Sequence, residues 1–161
     1  MDILEAEFLL FLSCASKNNL SYLLIGGYAV NYYGYSRNTK DMDVWLAPSN
    51  KNKELFIKTL VCMGYTEQEV ADIKEEDFTL HFKATIGSGS ASIDFLTVVH
   101  HQLSFDEAFE QRNNFEVKEG LFMQIVPYNY LKEMKLRTGR EKDYFDIARL
   151  EELKNIPPKD I

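Results

Sequence analysis

The stretch LLIGGYAVNYYGYSRNTKDMDVWL, residues 23–46, decides how the chain is read. The apolar run SYLLI at 21–25 stops at Gly26-Gly27 and predicts a short strand. YAVNYYG predicts a short helix closed by Gly34, and DMDVWL a second strand stopped by Pro48. On a strand, residues i and i+2 share a face. Asp41 and Asp43 therefore project together, with Met42 and Val44 packed on the other side. Two ionised carboxylates so close repel each other. Such a pair is either fully solvated or bridged by cations, and the core-like Trp45-Leu46 that follows disfavours full solvation.

Divalent cations resolve the conflict. Mg²⁺ takes oxygen ligands, commonly one or two carboxylates plus substrate phosphates. Two such ions stabilise both the attacking and the leaving oxygen of an in-line phosphoryl displacement. A third acid is wanted on a neighbouring strand, and SIDFLTV supplies Asp94 as its single charge. An unpaired charge in such a strand is costly. Glycine lets the backbone approach a ligand closely. Gly26 and Gly27 are therefore expected to cradle a phosphate chain, with the N–H groups of the next helix aimed at the same point. Arg37 and Lys40 add positive charge on the loop into Asp41. Alone, Asp-x-Asp is most often a surface pair and Gly-Gly a turn. Their combination with a later strand Asp points to Mg²⁺ (or Mn²⁺) and a nucleoside triphosphate.

The rest of the chain supplies a frame. Its 161 residues are most simply one domain, with ordinary globular composition: 45% hydrophobic and 27% charged. A net charge of −7 gives the surface as a whole no attraction for nucleic acid. Cys14 and Cys62 are far apart with no CxxC, so reduced thiols in a cytoplasmic protein are expected rather than a disulfide framework. No run of 18 apolar residues is present, so no membrane contact is expected. The apolar start, preceded by Asp2, Glu5 and Glu7, reads as a buried helix over 2–18 rather than a signal peptide. A helix after Ser49 ends at Gly64. Residues 66–77 read as an acidic loop or short helix. DFTLHFKATI alternates as a half-buried strand, carrying Phe78, Leu80, Phe82 and Ala84 on one face. GSGS at 87–90 turns it into ASIDFLTVV. A helix over 104–112, two strands near 114–126 and a helix pair, from Pro127 to Gly139 and over 141–154, complete the chain. The class is α/β or α+β, a mixed β-sheet flanked by helices with a C-terminal helix pair.

These residues resemble the nucleotidyltransferase-fold superfamily. Its signature is an apolar residue, Gly, Gly or Ser, a spacer, then Asp-apolar-Asp-apolar. Here it reads Ile25-Gly26-Gly27, thirteen residues, then Asp41-Met42-Asp43-Val44, with Asp94 as the third acid. YNYLKEMKLRTGREKDYFDIARL is similar to the tail of the AbiEii-type subgroup, matching at Lys135, Arg140, Lys142, Asp143 and Asp146. The resemblance implies transfer of a nucleoside monophosphate from an NTP such as ATP to an acceptor hydroxyl, with release of pyrophosphate. It implies Asp41, Asp43 and Asp94 as metal ligands and Lys135 on the phosphates. Asp146 would orient Lys135 or the acceptor. It leaves open an acceptor that is tRNA or other RNA, protein or a small molecule, and a cognate antitoxin as regulator. Two rivals stand beside it. One is a non-catalytic nucleotide- or partner-binding module, such as a toxin–antitoxin component. The other is an aminoglycoside-type adenylyltransferase, which the net negative charge suits.

Other features carry less. GSGS between two strands is a hairpin turn rather than a phosphate loop. His100-His101 lacks further zinc ligands. His81 and Lys83 share a solvated strand face. Tyr28, Tyr32, Tyr33 and Tyr35 line a base pocket or simply pack the short helix.

Overall fold

The glycine pair lies where strand β1 (Tyr22–Ile25) passes into helix α2 (Gly26–Tyr32), and β2 (Asp41–Leu46) returns antiparallel to β1. The computed structural model describes residues 5–35, 41–88, 91–99 and 102–154. Among these, four more strands complete a sheet: β3 (Lys83–Ser88), β4 (Ala91–Leu96), β5 (Asn113–Lys118) and β6 (Leu121–Ile125). The order is β3-β4-β2-β1-β6-β5. The β2–β4 and β1–β6 pairs are parallel, and the remaining pairs antiparallel. The remaining helices are α1 (Ala6–Lys17), α3 (Asn50–Cys62), α4 (Ala71–Lys74), α5 (Phe105–Glu110), α6 (Tyr128–Thr138) and α7 (Glu141–Lys154). Mixed sheet, flanking helices and closing helix pair are as the sequence predicts. None of the described helices is long and apolar enough to cross a membrane.

Alternation divides the central strands into two faces. Met42, Val44, Ile93 and Phe95 are fully buried. Helices α1 and α3 cover them, with Phe11 and Phe56 set edge-on against Phe95 at 5.3 and 4.7 Å between ring centres. The opposite face carries Asp41, Asp43, Ser92 and Asp94 at one end. Trp45 on that face packs edge-on against Phe105 of α5 at 5.2 Å. Local signals fix the element ends. Ser49 caps α3 by accepting from the Asn52 N–H, and the buried Asn52 side chain both accepts from and donates to the Ser21 backbone at 3.0 Å. Gly139, at φ 63°, closes α6 in the left-handed conformation.

Two expectations are corrected. The strand read from Phe78 begins only at Lys83. Phe78 and Phe82 are both buried and stack on each other at 4.5 Å, while Leu80 between them is 64% exposed. The Thr97 N–H still donates to the Phe82 carbonyl at 3.1 Å, but its hydroxyl accepts from the Phe82 N–H and donates to the Leu80 carbonyl, so a side chain takes over where the ladder ends. The cysteines are not free thiols: α1 packs beside α3, and Cys14 and Cys62 are joined as a disulfide with Cα atoms 5.7 Å apart. Closing 48 residues into a ring restricts the unfolded chain by about 4 kcal/mol in the chain-entropy account. Denatured protein should therefore show no reactive thiol before reduction and two after it. A Cys14→Ser, Cys62→Ser double variant should melt like the reduced protein.

Candidate active site

The parallel register of β2 and β4 sets Asp43 directly opposite Asp94, and Asp41 opposite Ser92. Asp41, Asp43 and Asp94 thus share one face at the end of the sheet. Neighbouring hydroxyls hold the outer two. Ser92 Oγ donates to Asp41 Oδ1 at 2.6 Å, and Thr85, opposite Asp94 on β3, donates to Asp94 Oδ1. Asp43 and Asp94 are half-buried and Asp41 is exposed. Burial, then the charges of Asp94 and Asp41, push the Asp43 carboxyl up to about 6. Among the described residues, Lys135 and Lys142 offset the charge of the three carboxylates only in part.

Gly26 is required at its position for two reasons. Its φ of +65° is left-handed, and a Cβ there would collide with Oδ2 of Asp43. The missing side chain is the space the Asp43 carboxylate occupies. Gly27 lies buried in the first turn of α2. Arg37 and Lys40, and with them His100 and His101, lie outside the described residues. Tyr28, Tyr32 and Tyr33 are engaged in packing, against Phe8, Phe115 and Tyr128 respectively.

The helix pair brings cations to the same face. Lys135 on α6 is 6% exposed, and its Nζ lies 3.0 Å from Asp146 Oδ2 and 3.4 Å from Asp143 Oδ1. Asp143 is fully buried. Arg140 Nε and Nη2 donate to its two oxygens at 2.7 and 3.2 Å, and Thr138 Oγ1 donates at 2.8 Å. Burial alone would raise the Asp143 carboxyl. The Arg140 and Thr138 hydrogen bonds and the Lys135 charge outweigh it and hold the group well below the usual carboxylate range. Asp143 and Asp146 both turn inward onto Lys135, Asp146 at 3.0 Å from its Nζ. The central place of Asp143, and the parts of Thr85, Ser92 and Thr138, were not foreseen. The hydroxyls become visible only once strand register is known.

Between these groups lies a cleft of about 260 Å³, walled by Ile25, Leu96 and Met134 and reaching Gly26, Asp43 and Lys135. Among the described residues no three His, Cys, Asp or Glu side chains form a ready-made metal cage. Mg²⁺ needs none, because it binds through one or two carboxylates and completes its shell with water and phosphate. The donors are hard carboxylate oxygens, and Asp43 and Asp94 sit in register, with the Asp94 charge raising the proton affinity of Asp43, so the residues fit such an ion.

No family model matches the chain, and no curated protein matches it. A solved structure does. The fold is nucleotidyltransferase-like. The crystal structure of the lincosamide antibiotic adenylyltransferase LnuA, with lincomycin bound, superposes with a TM-score of 0.50 over 94% of this chain and 98% of that one, at 15% identity.

The raised Asp43 carboxyl has a consequence for stability. A group with a folded-state pKa near 6, against an ordinary 3.8, binds more protons folded than unfolded. Stability in metal-free protein therefore falls as pH rises from about 4 through about 6. Asp43→Asn should remove that loss, stabilising the chain by up to about 3 kcal/mol at pH 7.5 in chelator and by little at pH 4. Denaturant melts at the two pH values measure it.

Proposed function

We propose that the chain is a Mg²⁺- or Mn²⁺-dependent nucleotidyltransferase that moves a nucleoside monophosphate from an NTP to an acceptor hydroxyl and releases pyrophosphate. The observation that carries this is the in-register pair Asp43–Asp94, with Asp41 beside it and Gly26 and Lys135 against Asp43. Asp41, Asp43 and Asp94 would hold the metal ions. When bound, these ions offset charge on the attacking and leaving oxygens.

The chain's own groups do the rest. Asp94, oriented by Thr85, takes the proton of the acceptor hydroxyl as its oxygen bonds to the α-phosphorus and the bond to pyrophosphate breaks. Gly26 leaves the backbone bare for the phosphates, with Gly27 behind it. Lys135 donates to phosphate oxygen. Asp143 and Asp146 hold its ammonium in place from within α7. The likeness of Lys135, Asp143 and Asp146 to the AbiEii-type tail supports placing the chain near that subgroup, and with it a cognate antitoxin as regulator.

Incubation with each of the four α-labelled NTPs, Mg²⁺ and a cell extract tests the reading, since the labelled product identifies the acceptor as RNA, protein or small molecule. Asp43→Asn should lose at least about 1,000-fold in transfer while remaining folded. Turnover equal to wild type would refute the assignment. MgATP binding without pyrophosphate release would favour a non-catalytic module. Gly26→Ala should displace the Asp43 carboxylate and lose on the order of 100-fold.

A further inference from the structure

We propose that a second cavity, between α1 and the β5–β6 edge of the sheet, binds a small 2-hydroxy carboxylate on Arg112 and Gln124. It shares no lining residue with the cleft beside Asp43, and the inference does not depend on nucleotidyl transfer.

The cavity lies where β6 leaves β1. The two strands pair in register at Leu24 and Ile125. Toward the start of β6 the Tyr22 hydroxyl stands in for the ladder. It donates to the Phe122 carbonyl and accepts from the Gln124 N–H, both at 3.4 Å. The Tyr22 ring is held edge-on against Phe11 at 5.5 Å. Beside this wedge is a space of about 210 Å³, lined by Ser16, Tyr22, Arg112, Asn114, Phe122 and Gln124.

Two polar atoms of that lining are shielded from solvent and make no hydrogen bond, Arg112 Nε and Gln124 Oε1. A buried donor or acceptor left unpaired is costly, and here one of each lines the same cavity. Arg112 is fixed by its own turn. Its Nη1 donates to the Phe109 carbonyl at 2.8 Å, and its guanidinium carbon stands 3.9 Å from the centre of the Phe109 ring. The Nε–Nη2 edge is left over, a planar fork that matches a carboxylate. Among the described residues no Asp or Glu lines the cavity to answer this charge.

Gln124 Oε1 only accepts, so the ligand must carry a donor close to its carboxylate. A hydroxyl on the adjacent carbon meets that need. An amine there would set an ammonium beside the guanidinium with no acid to balance it. The volume is below the roughly 300–1,000 Å³ that encloses a drug-sized ligand, which suits a small acid and not a nucleotide. The exposed Phe122 ring offers contact to a substituent on the hydroxyl-bearing carbon.

Titration of the full ¹⁵N-labelled chain with glycolate, lactate and phenyllactate, followed by NMR, tests this. The reporter is the Arg112 Nε–H resonance, assigned by its absence in Arg112→Lys. At least one hydroxy acid should move it saturably, at least tenfold tighter than propionate, which lacks the hydroxyl, or alanine, which carries the ammonium. Gln124→Met should weaken that binding at least tenfold while melting no lower than wild type, because it removes an unpartnered acceptor. Arg112→Lys, followed through the Gln124 side-chain amide, should weaken it likewise and serves if the first variant does not fold. No saturable shift with any of the three acids would overturn the proposal. So would equal affinity for propionate or alanine, or binding retained in both variants.

Discussion

Parallel pairing of β2 with β4 sets two carboxylates face to face, and the rest of the site answers that one unfavourable contact. A hydrophobic layer on the far side of the same strands makes the register expensive to change, because slipping by one residue would carry Phe95 and Val44 out of the core. The repulsion is therefore locked in by packing. It leaves Asp43 with a raised carboxyl and an appetite for positive charge. Gly26 deepens the effect by letting the chain close over the carboxylate from behind.

The α6–α7 pair meets this demand only in part. Lys135 and Arg140 reach the site already matched by Asp143 and Asp146, two acids drawn from one helix. Removing Asp143 would take one of two carboxylate partners from the buried Lys135 ammonium and leave it Asp146 at 3.0 Å. The acids on α7 thus fix where the cations stand, and the sheet acids fix where charge is missing. The two sets are kept apart by the cleft, so the face has an apolar interior, a cationic end and an acidic, hydroxyl-lined rim.

Some of this was legible in the residues and some was not. The shared face of Asp41 and Asp43 follows from alternation, and Asp94 declares itself as the lone acid of an apolar strand. The helix pair was plain from Pro127 and Gly139. Register was not, since nothing local states that Thr85 and Ser92 lie opposite Asp94 and Asp41. The early start assigned to β3 failed because Phe78 and Phe82 also alternate, yet the Thr97 hydroxyl, not a neighbouring backbone, serves the Phe82 N–H and the Leu80 carbonyl. The union of Cys14 with Cys62 depends on α1 lying against α3, a tertiary fact that spacing cannot carry.

That covalent link has a topological consequence. The ring it closes runs from α1 to the end of α3 and encloses the glycine turn together with Asp41 and Asp43, whereas Asp94 and Lys135 lie outside it. A protease cutting anywhere between residues 15 and 61 would sever the backbone without separating the fragments. Nicked protein would run as one species until a reductant is added, and the half of the site built on β1, α2 and β2 would stay tethered to the half built on β4, α6 and α7.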